Sequence, residues 1–256
     1  VLGDRLEERI VYYEGFPINP FARREKKIAG KVFEEKVSDT AARIQNVFTS
    51  VYQNFGPQQS SAIYNAAKEC IEKKKKKATM AKLLEQLKAD SEIPTSVASS
   101  IINKLSLFVD IDPFDYDNKF SWDDYFTAEG KVFVIQFEGY DQDEVKKLMT
   151  EFILWDLIYY AQSGNDKKIL PIILDEAQNL DFGSNSPSEK ILREGRKFGI
   201  SAWFATQTFS NFSVAERTVL ENAATSIFFK PAESELSLVG KKMNIDNYDV
   251  LRSLQK

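Results

Sequence analysis

The chain has 256 residues, 43 % of them hydrophobic and 28 % charged, with a formal net charge of −4. This is the balance of a globular protein with room for one large domain or two small ones, and a net negative charge leaves any nucleic-acid surface to local patches of Lys and Arg. The chain has no His and a single cysteine, Cys70. That excludes His-based acid–base chemistry, a Ser-His-Asp triad, the commonest zinc sites and an intrachain disulfide.

In chain order, residues 9–13 (RIVYY) read as a short strand, and the two prolines of Gly15-Phe16-Pro17-Ile18-Asn19-Pro20-Phe21 force an extended loop after it. Residues 38–106 are helical in pattern. Ser38-Asp39 offers a cap for a first helix carrying Ala42, Ile44, Val47, Phe48 and Val51. Further helices are expected over 58–73 and 79–89, and from Pro94-Thr95 to about Leu107. The run Lys73–Lys77 suits a solvated helix C-terminus, with contact to DNA phosphates as the alternative. The aspartates 110, 112, 115, 117, 123 and 124 lack the glycine and terminal Glu of a calcium loop and read as a solvated loop.

Beyond this loop, strands and helices alternate. Strands are expected at Val132–Phe137, Ile169–Leu174, Ile200–Ala205 and Ser226–Phe229. As continuous apolar runs they predict a mainly parallel sheet buried on both faces. Asp141 and Glu144 form a capping-box pair for a helix over 142–162 that is apolar nearly all round. Ser186-Pro187-Ser188-Glu189 starts a helix running to about Phe198. Helices near 214–223, 233–242 and 246–254 complete the pattern. The most apolar run, Phe152–Ala161, is broken by Asp156 and too short to span a bilayer. No signal peptide opens the chain, so a cytoplasmic location with no membrane partner is expected. The missing initiator Met fits a portion of a longer protein.

The chemistry-bearing residues follow the strands. Ile173-Leu174-Asp175-Glu176-Ala177-Gln178 puts two adjacent carboxylates at a strand's C-terminal end, where open parallel sheets bind ligands. Such a pair suits a nucleoside triphosphate with Mg²⁺. Asp175 would hold the hydrated metal and Glu176 would orient the attacking water. An acidic cap on the next turn is the bland alternative. Gln207, ending the strand of Ala205-Thr206-Gln207, would lie beside the carboxylates if the two strands are neighbours, and its amide can bond both water and γ-phosphate. Arg193 and Arg196, three apart on one helix face closed by Gly199, offer an arginine finger or simply a basic helix end. No G-x-x-x-x-G-K-[ST] occurs, so the phosphate cradle must come from upstream, or the protein does not hydrolyse ATP.

The blocks Ile173–Leu180, Glu194-Gly195-Arg196-Lys197-Phe198-Gly199 and Ala205-Thr206-Gln207 resemble those of the HerA/FtsK superfamily of hexameric DNA-translocating P-loop ATPases. The flanking blocks Gly15–Phe21, Gln58–Tyr64, Asp112-Pro113-Phe114, Leu154-Trp155-Asp156-Leu157, Asn185-Ser186-Pro187-Ser188 and Phe228-Phe229-Lys230-Pro231 are similar to the DptH/DndH-type ATPases of phosphorothioation-dependent restriction systems. The resemblance implies a partial RecA-like core with a mainly parallel sheet. It also implies ATP with Mg²⁺ as cofactors, Asp175 and Gln178 toward the nucleotide, Asp175 as the water-mediated metal ligand, Glu176 as base, Gln207 as sensor, and Arg193 or Arg196 as a finger acting in trans. Partners would be double-stranded DNA, a homo-oligomeric ring, expected to be a hexamer, and other proteins of the restriction system. The organisation expected is a core segment over 1–34, a helical insertion over 35–110, a linker loop over 111–130 and the C-terminal core over 131–256. This chain alone would be inactive. A two-lobed helicase with a DEAQ box and a non-catalytic interaction module with a degenerate P-loop fold are the competing readings.

Overall fold

The computed structural model describes residues 3–52, 54–74, 77–116, 121–128, 130–163, 169–184 and 186–254. Lys75, Lys76, Asp117 and Asn185, which enter the patterns above, lie outside the described residues. The chain divides into two compact units, 1–168 and 169–256.

In the first unit, strand β1 (Leu6–Ile10) pairs in parallel with β4 (Val132–Gln136), Leu6 opposite Val132 and Ile10 opposite Gln136. The strand expected at 9–13 therefore lies three residues earlier. Val11–Glu14 instead forms a single helical turn, α1, closed by the Glu14 carboxylate accepting the Ile10 amide at 2.8 Å. An antiparallel hairpin of β2 (Glu25–Ile28) and β3 (Lys31–Glu34) follows. Its turn residues Ala29 and Gly30 both take positive φ, 49° and 79°. This hairpin has no local sequence signature, because Ala-Gly is not the Asn-Gly or Asp-Gly signal such turns favour.

Four helices come next: α2 (Val37–Val51), α3 (Pro57–Lys74), α4 (Met80–Ala89) and α5 (Thr95–Ile111). The cap expected from Ser38-Asp39 does not form. The N-cap position is Lys36, with no side-chain bond, because the helix begins at Val37 and already contains Ser38 and Asp39 in its first turn. A short helix, α6 (Trp122–Thr127), lies inside the segment expected to be a loop, and its Ser121 cap accepts the Asp123 amide at 3.2 Å. Helix α7 (Asp143–Gln162) is buried along most of its length, as its apolar composition requires, but it starts at Gln142 without a capping bond from Asp141. Phe48, Phe108, Phe114 and Phe152 meet in one aromatic cluster, with centroids 5.5–6.3 Å apart. The Gly15–Phe21 loop is tied to the end of α5 by the Phe16 amide donating to Pro113 at 2.7 Å.

A buried charge network crosses this unit. Arg43 bonds the Glu35 carboxylate at 3.1 Å, and the two side chains are 5 % and 0 % exposed. Arg43 also donates to the Pro20 and Ala22 carbonyls at 3.1 and 3.3 Å and sits 5.0 Å from the Tyr159 ring centre. Thr40 donates its hydroxyl to Glu35 at 3.0 Å. Arg24 pairs with Asp156, which also accepts the Trp122 indole N–H at 2.9 Å. Burial, with Arg43 nearby, pulls the Arg24 guanidinium down to about 10.

In the second unit, β5 (Leu170–Leu174) and β6 (Ile200–Phe204) pair in parallel, Leu170 opposite Ile200 and Leu174 opposite Phe204. The chain crosses between them through α8 (Pro187–Glu194). Ser186 caps α8 by accepting the Glu189 amide at 3.2 Å, with Pro187 in its first turn. Replacing Ser186 with Ala is expected to lower this unit's stability by about 1 kcal/mol, readable in a denaturant titration; an unchanged midpoint would show the cap to be idle. The helix expected to reach Phe198 ends at Glu194 and tightens into a 3-10 turn over Gly195–Phe198. Gly199, at φ 80°, then turns the chain into β6.

Three shorter helices follow: α9 (Val214–Leu220), opened by a complete Ser213/Glu216 capping box, α10 (Leu236–Met243) and α11 (Asp249–Arg252). No strand forms over 226–229 among the described residues. An apolar run without a neighbouring strand has no ladder to join. The β5–β6 pair also departs from burial on both faces. Leu170 and Ile200 are buried, whereas the facing residues Ile173 and Trp203 are 76 % and 61 % exposed. Alternate residues of a strand point to opposite faces, so one apolar face is covered and the other is open.

Candidate active site

The site is built where β5 and β6 end together. Beyond the last pair, Leu174 opposite Phe204, the Ala205 amide donates to the Leu174 carbonyl at 2.9 Å and the Ala177 amide donates to the Ala205 carbonyl at 2.8 Å. The ladder thus carries past the strands and locks Asp175-Glu176 against Ala205-Thr206-Gln207. Between those bonds the chain reverses at Glu176, which takes left-handed backbone angles, φ 52° and ψ 44°. A non-glycine residue there costs on the order of 1–3 kcal/mol, and such strain concentrates at functional sites. Asp175 relieves part of it by accepting the Glu176 amide at 2.9 Å.

The reversal brings the Glu176 carboxylate between two amides. Gln207 Nε2 donates to one of its oxygens and Gln178 Nε2 to the other. Thr206 Oγ1 donates to Gln178 Oε1 at 2.6 Å and lies 2.9 Å from the Thr208 carbonyl. Asp175, Thr206 and Gln207 are exposed and Glu176 is half-buried, so the cluster is open to an incoming ligand. Below it lies an apolar base of Ala177, Phe182, Phe212 and Leu220, with Phe204 and Phe209 packed alongside. Phe182 contacts Phe204 and Phe212, both with centroids 5.6 Å apart.

The structure gathers four of the six candidate residues, Asp175, Glu176, Gln178 and Gln207, and leaves two elsewhere. Arg193 lies in the last turn of α8 and pairs with Glu189 at 2.9 Å. Arg196 lies in the 3-10 turn, exposed, so the two arginines do not share one α-helical face. Both precede the start of β6, while the carboxylates follow the end of its parallel partner. At about 3.3 Å per residue, five strand residues separate the two ends by roughly 16 Å. Within one chain neither arginine belongs to the carboxylate cluster.

No family model and no curated protein matches the chain. Solved structures do. VirB4 of Thermoanaerobacter pseudethanolicus superposes with a TM-score of 0.72 over 97 % of this chain and 71 % of that chain, at 12 % identity. TrwB in its unbound monoclinic form, described as a bacterial conjugative coupling protein, superposes with a TM-score of 0.52 over 86 % of this chain and 60 % of that chain, at 16 % identity. The chain has the RecA-like fold of P-loop ATPases.

In a RecA-like fold the C-terminal edge of the parallel strands is the ligand edge, and here that edge carries the Asp175–Glu176–Gln207 cluster. Its donors are two carboxylates and a hydroxyl, all hard oxygens. Such oxygens suit a Mg²⁺ ion that keeps most of its waters, although among the described residues no three acidic, His or Cys side chains gather as a closed metal site. Two further residues serve the site. Thr206, within the Ala205-Thr206-Gln207 block, orients Gln178. Glu235, nearly thirty residues downstream of Gln207, accepts three bonds from the loop that follows Gln207, and no local pattern in the sequence marks it.

Proposed function

We propose that this chain is the acidic-motif and sensor part of an ATP-driven motor, with the phosphate-cradling loop contributed from outside these 256 residues. The observation that carries the reading is the convergence of Gln207 and Gln178 on a strained Glu176 at the shared end of two parallel strands. In the reaction, Glu176 would orient the attacking water and take its proton. Gln207 would hold that carboxylate and exchange its bond for one to water or γ-phosphate when nucleotide is present. Bound Mg²⁺ would neutralise charge on the phosphate oxygens. Asp175 would support the metal, and Gln178, braced by Thr206, would keep Glu176 aimed.

Arg193 or Arg196 would then serve a neighbouring subunit, because each lies at the far end of the strands from its own carboxylates. This supports a ring, with a hexamer and duplex DNA as its track. Placement in a phosphorothioation-dependent restriction system, alongside that system's other proteins in the cytoplasm, rests on the resemblance of blocks such as Gly15–Phe21, Gln58–Tyr64 and Phe228-Phe229-Lys230-Pro231. TrwB's description as a conjugative coupling protein favours a role in moving a macromolecule rather than a metabolic reaction.

The test is Mg²⁺-dependent ATP hydrolysis by the full-length protein and its Gln207→Ala variant. Losing one preorganised donor is expected to lower kcat by about 10²-fold. A Gln207→Ala variant at wild-type rate would remove the sensor role of Gln207, and a full-length protein without turnover would favour the second reading. That reading, a non-catalytic assembly module, draws on the missing G-x-x-x-x-G-K-[ST] motif.

A further inference from the structure

Gln207 stands at the head of a loop that is held from its other side. After it the chain turns through Thr208, Phe209 and Ser210, and a single oxygen, Glu235 Oε1, accepts from all three. The Thr208 hydroxyl is at 2.6 Å, the Phe209 amide at 2.7 Å and the Ser210 amide at 2.8 Å. Glu235 is buried and ends the 3-10 turn Glu233–Glu235 that leads into α10. Burial alone would push its carboxyl up. The Thr208 hydroxyl and the Ser210 and Phe209 amides outweigh that and hold it below the ordinary range, so it is an anion bound by loop donors. Lys242 of α10 adds a second hold, 4.7 Å above the Phe209 ring, and Phe209 packs against Phe212 in the apolar base at 5.7 Å.

This grip continues into the site. The Thr208 carbonyl lies 2.9 Å from the Thr206 hydroxyl, which donates to Gln178 at 2.6 Å, and Gln178 donates to Glu176. One buried carboxylate therefore fixes the loop that carries Gln207 and, through Thr206, the amide on the opposite oxygen of Glu176. We propose that Glu235 is a positioning residue for hydrolysis, holding the 206–210 loop so that Gln207 and Gln178 both stay on Glu176. The proposal rests on the functional reading above. It adds a connection from that site to α10, so that a movement of α10 would reach the sensor.

The test uses Glu235→Ala and Glu235→Gln, with Glu233→Ala as control. Glu233 lies on the same turn but bonds Arg252, at 3.0 Å, instead of the loop. In the full-length protein, Glu235→Ala should lower kcat at least tenfold with KM within twofold. Glu235→Gln, which keeps an acceptor oxygen, should recover part of that loss, and Glu233→Ala should stay within twofold of wild type. In the 256-residue chain, NMR should show the Phe209 and Ser210 amides exchanging faster in Glu235→Ala and the Gln207 side-chain NH₂ resonances displaced. Thermal melting identifies a variant that fails to fold, in which case Glu235→Gln alone decides. Faster exchange with unchanged kcat, or with unmoved Gln207 resonances, would reduce Glu235 to a local turn cap and overturn the proposal. A wild-type protein that does not hydrolyse ATP would instead remove the motor reading, and the NMR arm would still decide whether Glu235 positions Gln207.

Discussion

Glu176→Gln is expected to abolish most ATP turnover while leaving nucleotide binding in place. The substitution keeps side-chain length and an oxygen acceptor, and Gln tolerates the left-handed backbone at φ 52° no worse than Glu. What it removes is the negative charge that takes a proton from water. General-base loss of this kind lowers kcat by about 10²–10⁴-fold, or roughly 3–5 kcal/mol of barrier. The wild-type carboxylate accepts from Gln207 and Gln178 on its two oxygens. In the variant one of those positions becomes an NH₂ facing another NH₂, so a neighbouring amide must turn over, a local adjustment at an exposed edge. Fluorescent-nucleotide titration of the full-length protein should therefore give a Kd within about threefold of wild type. Asp175→Asn should show the contrary pattern, losing affinity mainly when Mg²⁺ is present. Equal turnover in Glu176→Gln and wild type would take away the base assignment.

The second large effect lies in the first unit and concerns stability. Arg43→Ala leaves Glu35 fully buried without its ion-pair partner, with the Thr40 hydroxyl at 3.0 Å and the Arg24 amide at 3.4 Å among its remaining donors. Removing one partner of a buried pair costs about 3–5 kcal/mol, on the order of 10 °C in Tm for a unit of this size. Lys82→Ala makes a sharp contrast. Its bond to Glu85 at 2.9 Å joins two exposed side chains, so the change should leave the melting temperature nearly unmoved. The pH dependence separates the Arg43 mechanism from simple cavity formation. Burial pushes the Glu35 carboxyl up, but Arg43, Thr40 and the Arg24 amide prevail and hold it below its ordinary value. A folded value below the unfolded one contributes stability above the usual carboxylate range, lost as pH falls through the folded value. In Arg43→Ala the Thr40 hydroxyl and the Arg24 amide remain but the partner charge is lost, so burial weighs more heavily on the carboxylate, and acid, by neutralising it, relieves the variant. The gap between wild type and variant should shrink below about pH 4. A gap independent of pH would mean that lost packing against Tyr159, not the bare charge, explains the effect.

The parts of the molecule governed by local chemistry were legible before any coordinates. Ser186-Pro187 starts α8 where the capping rule places it, and the apolar faces of α2, α3 and α4 bury as their spacing requires. Strands β4, β5 and β6 fall within a residue of their expected bounds. The meeting of Glu176 with Gln207 followed from assuming that two apolar strands are neighbours. What could not be read depends on partners far along the chain. Lys36 rather than Ser38 begins α2, at the point where Thr40 is drawn to the buried Glu35. The run at 226–229 is as apolar as β5 but has no strand beside it. Nothing in a lone Glu announces the two amides and one hydroxyl that Glu235 accepts, or the left-handed backbone of Glu176. Spacing places Arg193 and Arg196 on a common face only while the α-helix continues, and it stops at Glu194.

The open face of the β5–β6 pair gives the protein a built-in optical reporter. Of its three indoles, those of Trp122 and Trp155 are shielded from solvent, while Trp203 stands out beside Ile173 two residues before the strand turns toward Thr206 and Gln207. Collisional quenchers in solution therefore reach essentially one fluorophore. Whatever comes to rest on that surface, whether another subunit, a further stretch of polypeptide or a solubilising detergent, will shift its emission to the blue and protect it from iodide, without any label being attached.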